Sequence, residues 1–104
     1  MNRVGITMNE SQDKRLHARV IGRVQGVGFR YYVMGVAGEI GLRGWVRNRW
    51  DGSVEVVAEG KKEKLSELLR ALQRGSISSV VTEVKEHWLE NTGEFNGFSV
   101  RSTL

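Results

Sequence analysis

A chain of 104 residues makes one domain with a single modest core, and 39% hydrophobic with 27% charged residues is an ordinary globular composition. No apolar run approaches the roughly 18 residues of a bilayer crossing, residues 1–15 lack a secretory apolar stretch, and no cysteine is available for disulfides, thiolate catalysis or thiolate metal sites. A cytoplasmic protein is expected, and its net charge of +4 favours anions without choosing among nucleic acid, lipid and phosphorylated metabolites.

Residues 1–14 have few large apolar side chains and no period, so they read as a mobile arm ahead of a domain at 15–104, with Met8 as an alternative start. Leu16, Ala18 and Val20 then alternate with His17, Arg19 and Ile21, which predicts a half-buried strand. A glycine-rich loop follows. Phe29, Val33, Val36, Ala37 and Ile40 fall at helical spacing, and Gly41 ends that helix. Gly35 and Gly38 inside it each cost about 1 kcal/mol of propensity, so packing must hold it.

Residues 42–49 and 53–59 read as two strands joined by a tight turn at Asp51-Gly52, with Val54, Val56 and Ala58 pointing inward. The segment 61–74 predicts an amphipathic helix, with Leu65, Leu68, Leu69 and Leu72 on one face and Gly75 as its stop. Val80, Thr82, Val84 and Trp88 are expected to alternate along a further strand, and Phe98 and Val100 mark a short last one. The order βαββαβ plus a short C-terminal strand gives an α+β, ferredoxin-like sandwich: an antiparallel sheet with two helices on one face.

Two segments carry chemistry. The first is GRVQGVGFR, residues 22–30, whose Gly26 and Gly28 permit positive φ and close backbone approach to a ligand. Such a loop before a helix directs several N–H groups into one concavity, and Arg30 falls in the helix's first turn, where a cation is disfavoured by about 0.3–1 kcal/mol. A bound anion would resolve both features, with a bidentate guanidinium–phosphate contact. The same residues also fit a plain tight turn with a solvated arginine. The loop is neither a Walker phosphate loop nor a dinucleotide fingerprint.

The second is GWVRNRWDG, residues 44–52. Val46 and Asn48 share a strand face, and Asn48 ends the strand, where its amide can accept from water and donate to a phosphoryl oxygen. It equally suits an asparagine serving the hairpin turn. Trp45 and Trp50 read as packing or hairpin residues, and His17 and His87 as surface strand residues.

Taken together, these segments resemble the acylphosphatase family. Gly22, Val24, Gln25, Gly26, Val27, Phe29 and Arg30 match its first signature, and Gly44, Trp45, Val46, Asn48, Asp51 and Gly52 match its second. The resemblance extends from about Leu16 to Val100 and includes Glu59-Gly60. It implies hydrolysis of acyl phosphates to carboxylate and inorganic phosphate, by attack of water on phosphorus, with no cofactor and no metal. Arg30 and Asn48 are then the catalytic pair: Arg30 binds phosphate and Asn48 places the water. The loop of Val24, Gln25, Gly26, Val27, Gly28 and Phe29 supplies backbone donors, and the substrate's phosphate helps accept the water's proton. The expected partner is a small-molecule acyl phosphate, with neither nucleic acid nor membrane, and the expected state is a monomer. The chain departs from the family in Gly75-Ser76, where Gly-Pro is common, in Glu86 at a commonly apolar strand position, and in Gly35 and Gly38.

Two other functions fit the same element order. One is an RNA-binding module, although residues 16–21 and 53–59 carry no aromatic for base stacking. The other is a non-catalytic phosphate- or carbamoyl-phosphate-binding domain, like the one opening a large hydrogenase-maturation protein; that protein continues into further domains, whereas this chain stops at Leu104.

Overall fold

The computed structural model describes residues 12–104. Strand β1 (Asp13–Arg23) leads into helix α1 (Phe29–Ile40), then β2 (Arg43–Asn48), β3 (Val54–Lys61), helix α2 (Lys62–Arg74), β4 (Val80–Glu90) and β5 (Phe98–Val100). The expected arm lies mostly outside the described residues, and its last two residues, Asp13 and Lys14, already belong to β1. Each expected element is present, and α1 runs unbroken through Gly35 and Gly38.

The sheet order is β4-β1-β3-β2-β5. All neighbours are antiparallel except β2 and β5, so the short last strand makes the sheet mixed. Alternation along the strands sorts residues into rows. Gly44, Ala58, Leu16 and Trp88 form one row on the helix side; Val46, Val56, Ala18 and Glu86 form the next; Asn48, Val54, Val20 and Val84 form the third. These rows and the inner faces of the helices make the core, in which Leu16, Val20, Phe29, Val33, Val46, Val54, Val56, Leu65, Leu68 and Leu72 are fully enclosed. Fully burying a side chain of this size contributes about 1.5–3 kcal/mol. Tyr32 of α1 also donates its hydroxyl to the Ala71 carbonyl of α2 at 2.9 Å.

The expected alternation in β4 fails at its start. A register shift between Ile21 and Gly22 brings Gly22 opposite Val81 instead of Thr82, so Val81 packs against the core while Val80 and Thr82 are exposed. The extra residue of a β-bulge reverses the faces on either side of it. Gly22 allows this approach, since a Cβ there would sit 2.1 Å from the Val80 carbonyl oxygen. Glu86 does occupy an inward row, but β4 is an edge strand, and its carboxylate stays exposed and accepts the Trp88 indole N–H at 3.0 Å.

Candidate active site

The end of β1, the start of α1, the end of β2, the start of β3 and the segment after β5 meet at one end of the sheet. There the loop 24–28 turns the chain from β1 into α1. Val24 and Phe29 are buried and anchor its two ends in the core. Gly26 and Gly28 between them take φ of +73° and +77°, and Gly28 caps α1 with no side-chain partner for the first-turn N–H groups. A Cβ at either glycine would meet nothing within 4 Å, so conformation rather than space calls for glycine.

No acidic residue occupies the first turn of α1. Arg30 sits there half-buried, and among the described residues it forms no ion pair. Uncapped N–H groups and an unpaired guanidinium at a helix N-terminus make a strongly positive corner.

Asn48 closes the third helix-side row, at the end of β2, as its alternation with Val46 predicts. Its Oδ1 is buried and has no hydrogen-bond partner among the described residues. Such an atom loses its water on folding and costs about 1–3 kcal/mol unless a ligand supplies a donor. Its backbone is held firmly. The Leu104 N–H donates to the Asn48 carbonyl at 3.1 Å, the Trp50 N–H to the Leu104 carbonyl at 3.2 Å, and the Arg101 N–H to the Val46 carbonyl at 2.9 Å. The β2–β3 turn is set by Asp51, whose Oδ1 accepts from the Ser53 N–H at 3.0 Å and the Ser53 hydroxyl at 2.6 Å. Those bonds hold the exposed Asp51 carboxyl below its usual range, with a smaller contribution from Arg19.

Gln25 joins the two halves. Its side-chain Nε2 donates to the carbonyls of Arg49 and Ser53, both at 2.8 Å, stitching the glycine loop to the Asn48 hairpin. The sequence suggested only a backbone contribution from Gln25; the bridging amide was missed. Its signal is the residue type, since only an amide side chain can offer two N–H donors to two carbonyls there without bringing charge.

On the opposite face of the sheet the buried carboxylates have their acceptors filled, although the Nε atoms of Arg19 and Arg49 there are buried without a partner among the described residues. Glu59, fully buried, accepts from Arg15 Nε at 2.7 Å, from the Thr92 N–H and hydroxyl at 2.9 Å each, and from the Gly93 N–H at 2.9 Å. Burial alone would raise its carboxyl, but the Thr92 N–H, Arg15 and the other donors carry it below the ordinary range. Glu55 meets Arg47, Arg49 and His17 together, and there too the donors outweigh burial, so its carboxyl is lowered. His17 is therefore a half-buried member of a network, not the surface residue expected, while His87 opposite it is exposed. Trp45 packs between the guanidiniums of Arg47 and Arg101 at 4.6 and 4.9 Å, whereas Trp50 is 82% exposed on the turn.

The fold and this corner define a small α+β domain with an uncapped helix N-terminus and an unpaired arginine at one end of its sheet. The acylphosphatase family model matches residues 16–100. An acylphosphatase of Bacillus licheniformis is 54% identical over 85 residues, which cover 80% of this chain and 91% of that protein. The crystal structure of the Bacillus subtilis acylphosphatase superposes with a TM-score of 0.82 at 40% identity, covering 85% of this chain and 98% of that one. Full-length HypF in its phosphate- and nucleotide-bound form matches with a TM-score of 0.81 at 27% identity, but the match spans only 12% of its length against 89% of this chain. The chain belongs to the acylphosphatase family.

Proposed function

We propose that Arg30 and Asn48 perform the acyl phosphate hydrolysis that the family assignment gives this chain, within the cradle formed by residues 24–29. The observation that carries this reading is the pairing of an unpartnered Asn48 Oδ1 with an uncapped helix N-terminus holding an unpaired Arg30, stitched together through Gln25. The loop N–H groups and Arg30 hold the phosphoryl oxygens and counter the charge that shifts onto them. The Asn48 Oδ1 accepts from the attacking water and aligns it with phosphorus. The water oxygen bonds to phosphorus, and the acyl oxygen departs with the bonding pair as carboxylate. Both water protons end on phosphate, the first through a phosphoryl oxygen of the substrate itself. A carboxylate is a good leaving group, so positioning and charge stabilisation suffice.

The substrate is a small-molecule acyl phosphate, acted on by a monomer in the cytoplasm. Among the described residues no helix is long and apolar enough to cross a membrane. A base-stacking role for the open sheet face is disfavoured by Trp45, its one tryptophan, which lies closed between two arginines and is 8% exposed. A binding-only role like that of a larger protein's domain is disfavoured by relatives named acylphosphatases whose whole length this chain nearly spans.

The test is hydrolysis of benzoyl phosphate in excess EDTA. Wild type should turn over, and Arg30→Ala should lose about 10²–10³ in kcat/KM, the scale of removing one donor to a transition-state oxyanion. Near-normal turnover by Arg30→Ala would remove Arg30 from the mechanism. In isotope-labelled water the label should enter phosphate; label in the carboxylate would overturn attack at phosphorus.

A further inference from the structure

Glu55 lies on the face of the sheet opposite the cradle, and the hydrolytic mechanism does not use it. Its surroundings are unusual for a strand carboxylate. It is only 8% exposed, and two arginines and a histidine from two other strands and the turn converge on it. Oε1 accepts from Arg47 Nε at 2.8 Å and from Arg49 Nη1 at 3.2 Å, while Oε2 lies 2.7 Å from His17 Nε2. Arg47 is its direct cross-strand partner.

The two arginines are the immediate chain neighbours of Asn48, one on each side. Successive strand side chains point to opposite faces, so Asn48 points to the helix side because Arg47 and Arg49 point away from it. Asn48 also forms the last pair of the β2–β3 ladder, with Val54, where a strand is least restrained against twisting about its own axis. One oxygen that holds both neighbours removes this freedom. The Leu104 and Gln25 bonds and the Arg49 N–H, which donates to the Ser53 carbonyl at 2.9 Å, fix where the backbone lies, but all end on main-chain groups of this segment and leave the Asn48 side chain to its flanks.

We propose that Glu55 is the positioning residue for Asn48: by gripping Arg47 and Arg49 from the far face of the sheet, it sets the direction in which the Asn48 amide meets the attacking water. This rests on the reading of Asn48 given above. Glu55 touches neither substrate nor water. Its effect therefore falls on the alignment of the reacting water and not on the holding of phosphate, which belongs to the loop and Arg30.

A kinetic cycle of wild type, Glu55→Gln, Asn48→Ala and the double variant on benzoyl phosphate, with inorganic phosphate as competitive inhibitor, tests this. Glu55→Gln keeps the shape and one acceptor oxygen but not the charge that holds two guanidiniums. Its kcat should fall about 10- to 100-fold, the scale of a displacement of about 1 Å in a reacting group. KM and the phosphate inhibition constant should stay within about twofold, reflecting an intact anion cradle. In the Asn48→Ala background the same substitution should have almost no further effect on kcat, because its only route of action is gone. If Glu55→Gln lowers kcat equally in both backgrounds, or shifts KM and phosphate affinity along with kcat, its role is general support of the fold and the proposal fails. A full kcat for folded Glu55→Gln, with Asn48→Ala impaired, overturns the positioning role alone; a full kcat for Asn48→Ala overturns the reading beneath it. Should Glu55→Gln not fold, the paired variant Arg47→Met/Arg49→Met removes the same grip from the other side, with the same expected split between kcat and KM.

Discussion

The two faces of the sheet near the β2–β3 turn treat polar groups in opposite ways. On the far face carboxylates are saturated: Glu59 accepts four hydrogen bonds and Glu55 meets two arginines and a histidine. On the helix side Asn48 keeps a buried oxygen without a partner, Arg30 stands without a carboxylate among the described residues, and the first turn of α1 has no side-chain cap. Each buried unsatisfied group costs about 1–3 kcal/mol, and on the far face that cost falls on the Nε atoms of Arg19 and Arg49 while the carboxylates are fully met. Filled carboxylates favour stability, whereas an open acceptor beside an unpaired arginine is what the proposed anion site requires.

Truncation on the open side should damage chemistry and spare the fold. Asn48→Ala is expected to lower kcat by about 10²-fold, as for other groups that act mainly in the transition state, while phosphate affinity and thermal stability stay near wild type. Steady-state kinetics with product inhibition and a thermal melt check this together; an unchanged rate would assign Asn48 to the turn alone.

Truncation on the filled side should do the reverse. Glu59→Ala leaves Arg15 and two backbone N–H groups without their acceptor and is expected to cost about 3 kcal/mol in chemical denaturation, with kcat per folded molecule unchanged. The loss depends on pH in a definite sense. The folded carboxyl titrates below its ordinary 4.5, so its contribution is complete above that pH and disappears as pH falls through the lowered value. The gap in stability between wild type and Glu59→Ala should therefore narrow below pH 4.5. A gap that widens in acid would mean that the carboxylate is not what stabilises this face.

The smallest effect expected is a gain. Gly35 lies on the exposed side of α1, where an added Cβ meets nothing within 4 Å. Gly35→Ala should raise stability by about 0.5–1 kcal/mol in a denaturant titration without changing kcat, since it touches neither face of the sheet. A loss of stability would show that the helix needs its glycine.

Much of this division was legible in the sequence. The period-two strands and the leucine stripe at 65, 68, 69 and 72 located the elements, because each buries one regular face. The spacing of Val46 and Asn48 put them on one strand face with Asn48 at the strand's end, and the structure adds that this face is the helix side and that the glycine loop lies at the same end of the sheet. The bulge at Gly22 was not legible, since it arises where two distant strands meet, and it reversed the expected faces of Val80, Val81 and Thr82. The far-face network was also hidden. Arg15, His17, Arg47, Glu55 and Glu59 alternate with core residues as solvated side chains do, and only the strand order brings them within reach of one another. Gln25 was hidden for a related reason: it matches a loop motif, yet its amide serves the hairpin across from it.

The strand order also governs how the molecule is assembled in time. The central pair, β1 and β3, have α1, β2 and the turn between them in the chain, so no local contact can form the middle of the sheet. Closing such non-local pairs makes a mixed α/β domain of this kind slower to fold than a helical bundle. The chain contains no proline, so no prolyl isomerisation adds a later phase. The pairing of β1 with β3 is also what carries the glycine loop up to the Asn48 hairpin. Completing the sheet and bringing these two segments together are therefore one step of folding.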